Sequence, residues 1–180
     1  FSAMQSHNDS VFLSNVVAGV AVELIRIAND LRLLSSGPRT GLAEILLPPV
    51  QPGSSIMPGK VNPVMAEMLN MVCFQVMGYN TAINWAAQAG QLELNVMMPL
   101  IANDLIEMLE ILTNAMRAFT ERCVKGITAY PDRCRWYAEN SISMVTVLNT
   151  YIGYDKAAEV AKEAVATGKS LREVILEKNL

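Results

Sequence analysis

The sequence is short of charge, of histidine and of any patterned cysteine. Charged residues make up 17% of 180, the net charge is −3 and the pI is about 5.2. No basic run occurs, which argues against nucleic acid as a partner. His7 is the only histidine, and Cys73, Cys123 and Cys134 are widely spaced with no Cys-x-x-Cys. That usage speaks against a structural zinc site or a disulfide framework and for buried free thiols in a reducing cytoplasm. No metal and no cofactor is expected. The start, Phe1-Ser2-Ala3-Met4, lacks the basic head and small-residue cleavage pattern of a signal peptide. It also lacks an initiator Met, and is expected to be a cut end of a longer polypeptide. There is no alternating strand pattern of useful length and no internal repeat, so the expected class is all-α.

What is abundant is apolar sequence, at 52% of the residues. A chain of this size with so much of it should bury surface against something else, either further polypeptide or other subunits. Val16, Val17, Val20, Leu24, Ile27, Leu31 and Leu34 recur at three- and four-residue steps and predict a helix over about 10–35. It is apolar most of the way round, as buried helices are. Ser35-Ser36-Gly37-Pro38 stops it. Residues 36–63 hold six of the eight prolines, and a connection of that length inside a helical chain is usually functional or disordered. Asn62-Pro63 reads as the cap and first turn of a second helix, about 64–89. No charge falls between Glu67 and Glu93, which could mark a membrane span. Asn70, Gln75, Asn80, Asn84 and Gln88 favour a buried helix bonded to its neighbours instead. A third helix is expected over about 92–123, kinked or broken at Pro99. The 11 methionines suit adaptable core filling. After Gly126 the elements shorten. Pro131 opens a helix of about ten residues, Gly153 precedes another over 154–166, and Ser170-Leu171-Arg172-Glu173 is a capping box. Two domains are expected, a central helical one over 1–126 and a small helical one over 127–180.

The segment from Gly53 to Pro63 carries the chemistry. Gly53 frees the backbone, Ser54 and Ser55 follow, Lys60 supplies a point charge with three donors, and Asn62 lies at a helix start. The set suits a dianionic carboxylate. A serine beside it could serve as nucleophile or, with a lowered pKa, as base. A plain Gly/Pro loop with an exposed lysine and a capping asparagine has the same spacing.

Gly-Ser-Ser-x-Met-Pro-x-Lys-x-Asn-Pro resembles the signature of the fumarase/aspartase superfamily. The resemblance extends to Ile27-Ala28-Asn29-Asp30-Leu31-Arg32, Ser36-Gly37-Pro38-Arg39, Gly90-Gln91-Leu92-Glu93-Leu94-Asn95-Val96, Asn140-Ser141 and Tyr151-Ile152-Gly153-Tyr154. It implies long helices of a central bundle in a homotetramer, a small helical C-terminal domain, and a chain under half of a normal subunit. It implies Ser54 as the base that takes a proton beside a substrate carboxylate, with backbone amides near it as an oxyanion site. Ser55, Lys60 and Asn62 would bind the small dicarboxylate substrate. Gly53 would let the loop move, and Glu67 would orient a histidine from a segment outside this chain. His7 matches no catalytic position, and Arg39 is expected to be a structural ion-pair partner. Leu33-Leu34-Ser35-Ser36-Gly37, Leu47-Pro48-Pro49-Val50-Gln51-Pro52 and Ala89-Gly90-Gln91-Leu92 resemble the ammonia-lyase branch, which releases ammonia from L-aspartate to give fumarate. Gly59 and Glu93 are common in class II fumarases, the alternative. A non-enzymatic member, like the lens crystallins, is a third reading. Family sites combine segments of three subunits, so this chain alone is expected to be inactive.

Overall fold

A computed structural model of the chain describes residues 2–180. It divides into two units, Phe1–Thr128 and Ala129–Leu180. The first holds α1 (Ser2–Gln5), α2 (Asn8–Leu34), α3 (Val64–Gln88) and α4 (Met98–Arg122). The second holds α5 (Pro131–Asn140), α6 (Val145–Ile152), α7 (Tyr154–Thr167) and α8 (Leu171–Glu177). Two two-residue strands, β1 (Ile45–Leu46) and β2 (Thr128–Ala129), form the only sheet among the described residues. The all-α expectation holds.

In the first unit α3 is the middle helix, packed along α2 and along α4. Small residues let α2 approach: Ser14, Val17, Ala18, Ala21 and Ala28 form its buried stripe. On α4 the stripe is Ile101, Asp104, Met108, Leu112, Ala115 and Phe119, stepping by three and four. Leu69, Ile83 and Met108 are fully buried in the shared core, each worth about 1.5–3 kcal/mol of transfer free energy. The amides of α3 divide by position. Asn70 Nδ2 donates to Asn29 Oδ1 at 2.8 Å, and Asn84 Nδ2 reaches Asn15 Oδ1 at 3.4 Å. The two pairs run in opposite sequence directions, so α2 and α3 are antiparallel. Asn84 also bonds back to Asn80, whereas Gln75 and Gln88 are exposed. Of the described helices it is α2, not α3 with its single charge at Glu67, whose length and composition would allow a membrane crossing.

Helix ends follow local chemistry. α2 stops as expected, with the Ser36 hydroxyl donating to Leu33 O at 2.6 Å and accepting from the Leu42 N–H at 3.1 Å. A Cβ on Gly41 would lie 2.5 Å from Ser36 O, so only glycine fits that turn. Two expectations need correction. The third helix begins at Met98, not near residue 92, because 91–94 form a tight turn. Gln91 and Leu94 bridge, and Leu92 and Glu93 take φ of 46° and 72°. Pro99 therefore falls in the first turn, where no helical N–H is lost, and does not kink the helix. Asn62 is not the side-chain cap of α3, since the N-cap position is Pro63 and Asn62 is engaged elsewhere.

The second unit has its own core of Val160, Ala164, Leu171 and Val174, with Val145, Leu148 and Ile152 packed on it. Gly168 ends α7 in the left-handed conformation, its N–H donating to Ala164 O at 2.9 Å. The capping box is present. The Ser170 hydroxyl accepts from the Glu173 N–H at 3.3 Å, and the Glu173 carboxylate accepts from the Ser170 N–H at 2.8 Å.

Outward faces of the first unit stay apolar. Phe12 and Val16 on α2, Met71, Phe74 and Trp85 on α3, and Ile106 on α4 are exposed.

Candidate active site

The loop before α3 is closed at its neck and open at its tip. The Gly53 N–H donates to Lys60 O at 2.8 Å. Asn62 Nδ2 donates to Gly53 O at 2.8 Å. A Cβ on Gly53 would lie 2.6 Å from Lys60 O, so the two limbs touch through backbone and residue 53 must be glycine. Gly59 turns the chain back with φ 78°. Between them Ile56 is 84% exposed, an apolar side chain at the tip with nothing over it.

Ser54 is half-buried. Its Oγ accepts from the backbone N–H groups of Ile56 and Met57, each at 3.2 Å. Two donors on one hydroxyl oxygen favour its deprotonated form, because hydrogen bonds to an anion stabilise it more than bonds to the neutral group. Ser54 and Lys60 line one open cleft of about 460 Å³, together with Gln51, Pro52, Met57 and Val61. Lys60 is exposed and has no carboxylate within ion-pair distance among the described residues. Its charge is therefore uncommitted, and an anion in the cleft would meet both it and the Ser54 oxygen.

The other expected residues sit around this pair. Asn62 is half-buried at the neck, and Ser55 is exposed without lining the cleft. Glu67 lies in the first turn of α3, half-buried, where a carboxylate suits the positive end of the helix. Arg39 is exposed and pairs with no carboxylate among the described residues. His7 takes the left-handed conformation just before α2 and its Nε2 is buried without a hydrogen-bond partner.

Sequence reasoning missed Asn95, which is fully buried. Its Nδ2 donates to Ala86 O at 2.9 Å and Ala87 O at 3.1 Å, and its Oδ1 accepts from the Met97 N–H at 2.8 Å. One side chain thus closes the end of α3 and launches α4. A lone asparagine between two apolar helices was the available signal. Cys73 and Cys123 are buried as expected, and burial pushes both thiols above their ordinary pKa.

Family comparison gives this all-α chain, with Ser54 and Lys60 lining one cleft, its class. A family model described as Lyase matches residues 1–78, which include the loop, and one described as Fumarase C C-terminus matches 144–180. The chain belongs to the fumarase/aspartase superfamily. An aspartate ammonia-lyase of Corynebacterium glutamicum is 53% identical over 94% of this chain and 32% of that protein. A fumarate lyase:delta crystallin of Brucella melitensis superposes with TM-score 0.94 at 51% identity, over 99% of this chain and 39% of that one. The class II fumarase of Schistosoma mansoni superposes with TM-score 0.95 at 45% identity, over 100% of this chain and 38% of that one. The chain spans about a third of the length of the curated relatives it matches.

Proposed function

We propose that the full-length protein is an ammonia-lyase that converts L-aspartate to fumarate and ammonia by anti-elimination, with Ser54 as the base. The observation that carries this is the Ser54 oxygen accepting two backbone N–H groups in a cleft shared with an unpaired Lys60. The hydrogen removed is on the carbon beside a carboxylate, and such a carbon acid is very weak. Ser54 takes that proton, and the electron pair spreads onto the carboxylate as an enediolate. The pair then returns to form the double bond as the C–N bond breaks and ammonia leaves. The step needs fixed donors and a cation where charge accumulates. Lys60, Asn62 and Ser55 hold the substrate carboxylates. Glu67 orients a histidine supplied by a segment outside this chain.

Several further features support this reading. The aspartate ammonia-lyases it resembles are about half identical over most of the chain. The exposed apolar faces of α2, α3 and α4 suit burial in a homotetramer, and the free cysteines suit the cytoplasm. A small dicarboxylate is the substrate class, and neither nucleic acid nor a membrane is a partner. The 180-residue chain holds one segment of a shared site and turns over nothing alone.

Class II fumarase chemistry, the interconversion of fumarate and malate, is the second reading. Its support is the fold likeness to the Schistosoma mansoni enzyme, with Gly59 and Glu93 in fumarase-like positions. The full-length protein should raise fumarate absorbance with L-aspartate. Fumarate from L-malate and none from L-aspartate would replace the first reading with the second.

A further inference from the structure

Both peptide groups of Gly53 are tied to the returning limb of the loop. Its N–H goes to Lys60 O and its C=O is held by the Asn62 amide. The second bond matters for Ser54, because the Gly53 C=O and the Ser54 N–H belong to one planar peptide unit. Holding that carbonyl fixes the plane from which the Ser54 side chain departs. The Ser54 oxygen then falls within 3.2 Å of the Ile56 and Met57 N–H groups. Asn62 has no competing task at the helix start, since the N-cap position is Pro63. A side-chain amide carries two N–H donors and one acceptor oxygen. The bond to Gly53 uses one donor, which leaves the other and Oδ1 for a ligand.

We propose that Asn62 is a positioning residue that acts through Gly53 on Ser54, clasping the loop neck so that the Ile56 and Met57 N–H groups converge on the Ser54 oxygen. This rests on the reading of Ser54 as base, and goes beyond carboxylate binding by Asn62. One rigid, planar amide touches the Gly53 carbonyl with one N–H and can touch a substrate carboxylate with the other. Carboxylate binding is thereby coupled to placement of the base. Gly53 belongs to the same device, because a Cβ there would meet Lys60 O at 2.6 Å and Asn62 N at 3.0 Å.

The test compares wild type, Asn62→Ala and Gly53→Ala in the full-length protein, with Asn62→Asp as an isosteric variant that withdraws both donors. Millisecond amide hydrogen exchange is measured over residues 53–57 without substrate, and kcat and KM are measured across pH. If the clasp operates, exchange over 53–57 rises about fivefold or more in every variant, the loss of one net hydrogen bond. The low-pH limb of the pH–kcat profile, along which activity rises as the base loses its proton, moves to higher pH, and kcat falls by a larger factor than KM rises. Wild-type exchange in both Asn62 variants with only KM raised would overturn the clasp and leave Asn62 as a carboxylate ligand alone. Faster exchange in Gly53→Ala but not in either Asn62 variant would also overturn it, since backbone closure would then suffice. Exchange needs no turnover, so a full-length protein without lyase activity would defeat the proposed function while the clasp is still decided.

Discussion

Replacing Lys60 with methionine should remove substrate affinity without removing fold. The ammonium has no ion-pair partner among the described residues and its side chain is exposed. Its loss therefore costs no native interaction, and a surface change of this kind shifts stability by about 0.5 kcal/mol or less. A carboxylate about 4 Å away would gain about 1 kcal/mol from the charge in a water-like setting and about 4 kcal/mol at the effective dielectric of a protein surface. The open cleft lies between these limits, so kcat/KM for L-aspartate should fall between about fivefold and a thousandfold. Lys60→Arg keeps the charge but not the compact head, and should fall less. Raising the salt concentration should shrink the difference between wild type and Lys60→Met, because screening weakens the interaction that was deleted. Fumarate absorbance gives the rates and thermal denaturation gives the stability. A Lys60→Met protein within twofold of wild type would refute the electrostatic role. So would a loss of activity matched by a loss of fold.

Two further predictions concern the scaffold. Asn95→Ala should destabilise the first unit by about 2–4 kcal/mol, because three bonds to Asn95 are lost at once, from the Ala86 and Ala87 carbonyls and the Met97 N–H, with Ala86 O keeping only the Ala89 N–H; chemical denaturation measures it, and a change under about 0.5 kcal/mol would contradict the role. Glu173 is held below the ordinary carboxylate range, first by the backbone N–H of Ser170 and then by its hydroxyl. A lowered folded pKa means that its contribution is complete above the ordinary carboxylate range and is lost as pH falls through the lowered value. The protection of the Ser170 amide relative to its intrinsic exchange rate should therefore fall on acidification in wild type and not in Glu173→Ala.

How much of this could be read beforehand depended on how local each determinant was. Helix positions followed from apolar spacing and from stop signals that act over a few residues, as at Ser35-Ser36-Gly37-Pro38 and Ser170-Leu171-Arg172-Glu173. The start of α4 did not. Its apolar spacing continues back to Leu92, but Gln5 accepts the Glu93 N–H through Oε1 at 3.1 Å and Asn95 ties its own N–H to Met4 O at 2.9 Å. Partners nearly ninety residues away hold that turn, and no window of sequence contains them. The loop was legible as chemistry, because glycine, two serines, lysine and asparagine in that order resemble a known signature. Its internal wiring was not. Asn62 before Pro63 reads as a helix cap, the commonest use of asparagine there, and only the close approach of the two limbs at Gly53 offers its amide another acceptor. Amides on α3 told a similar story, since Asn70 and Asn84 meet α2 while Gln75 and Gln88 face outward.

The central claim is that the Ser54 oxygen takes the proton. The most direct measurement is fumarate formation from L-aspartate by the full-length protein carrying Ser54→Ala, beside wild type of equal thermal stability. Loss of a general base predicts a fall in kcat of about 10²–10⁴-fold or more, with KM little changed and melting within about 2 °C of wild type. Turnover within tenfold of wild type would mean that another group takes the proton.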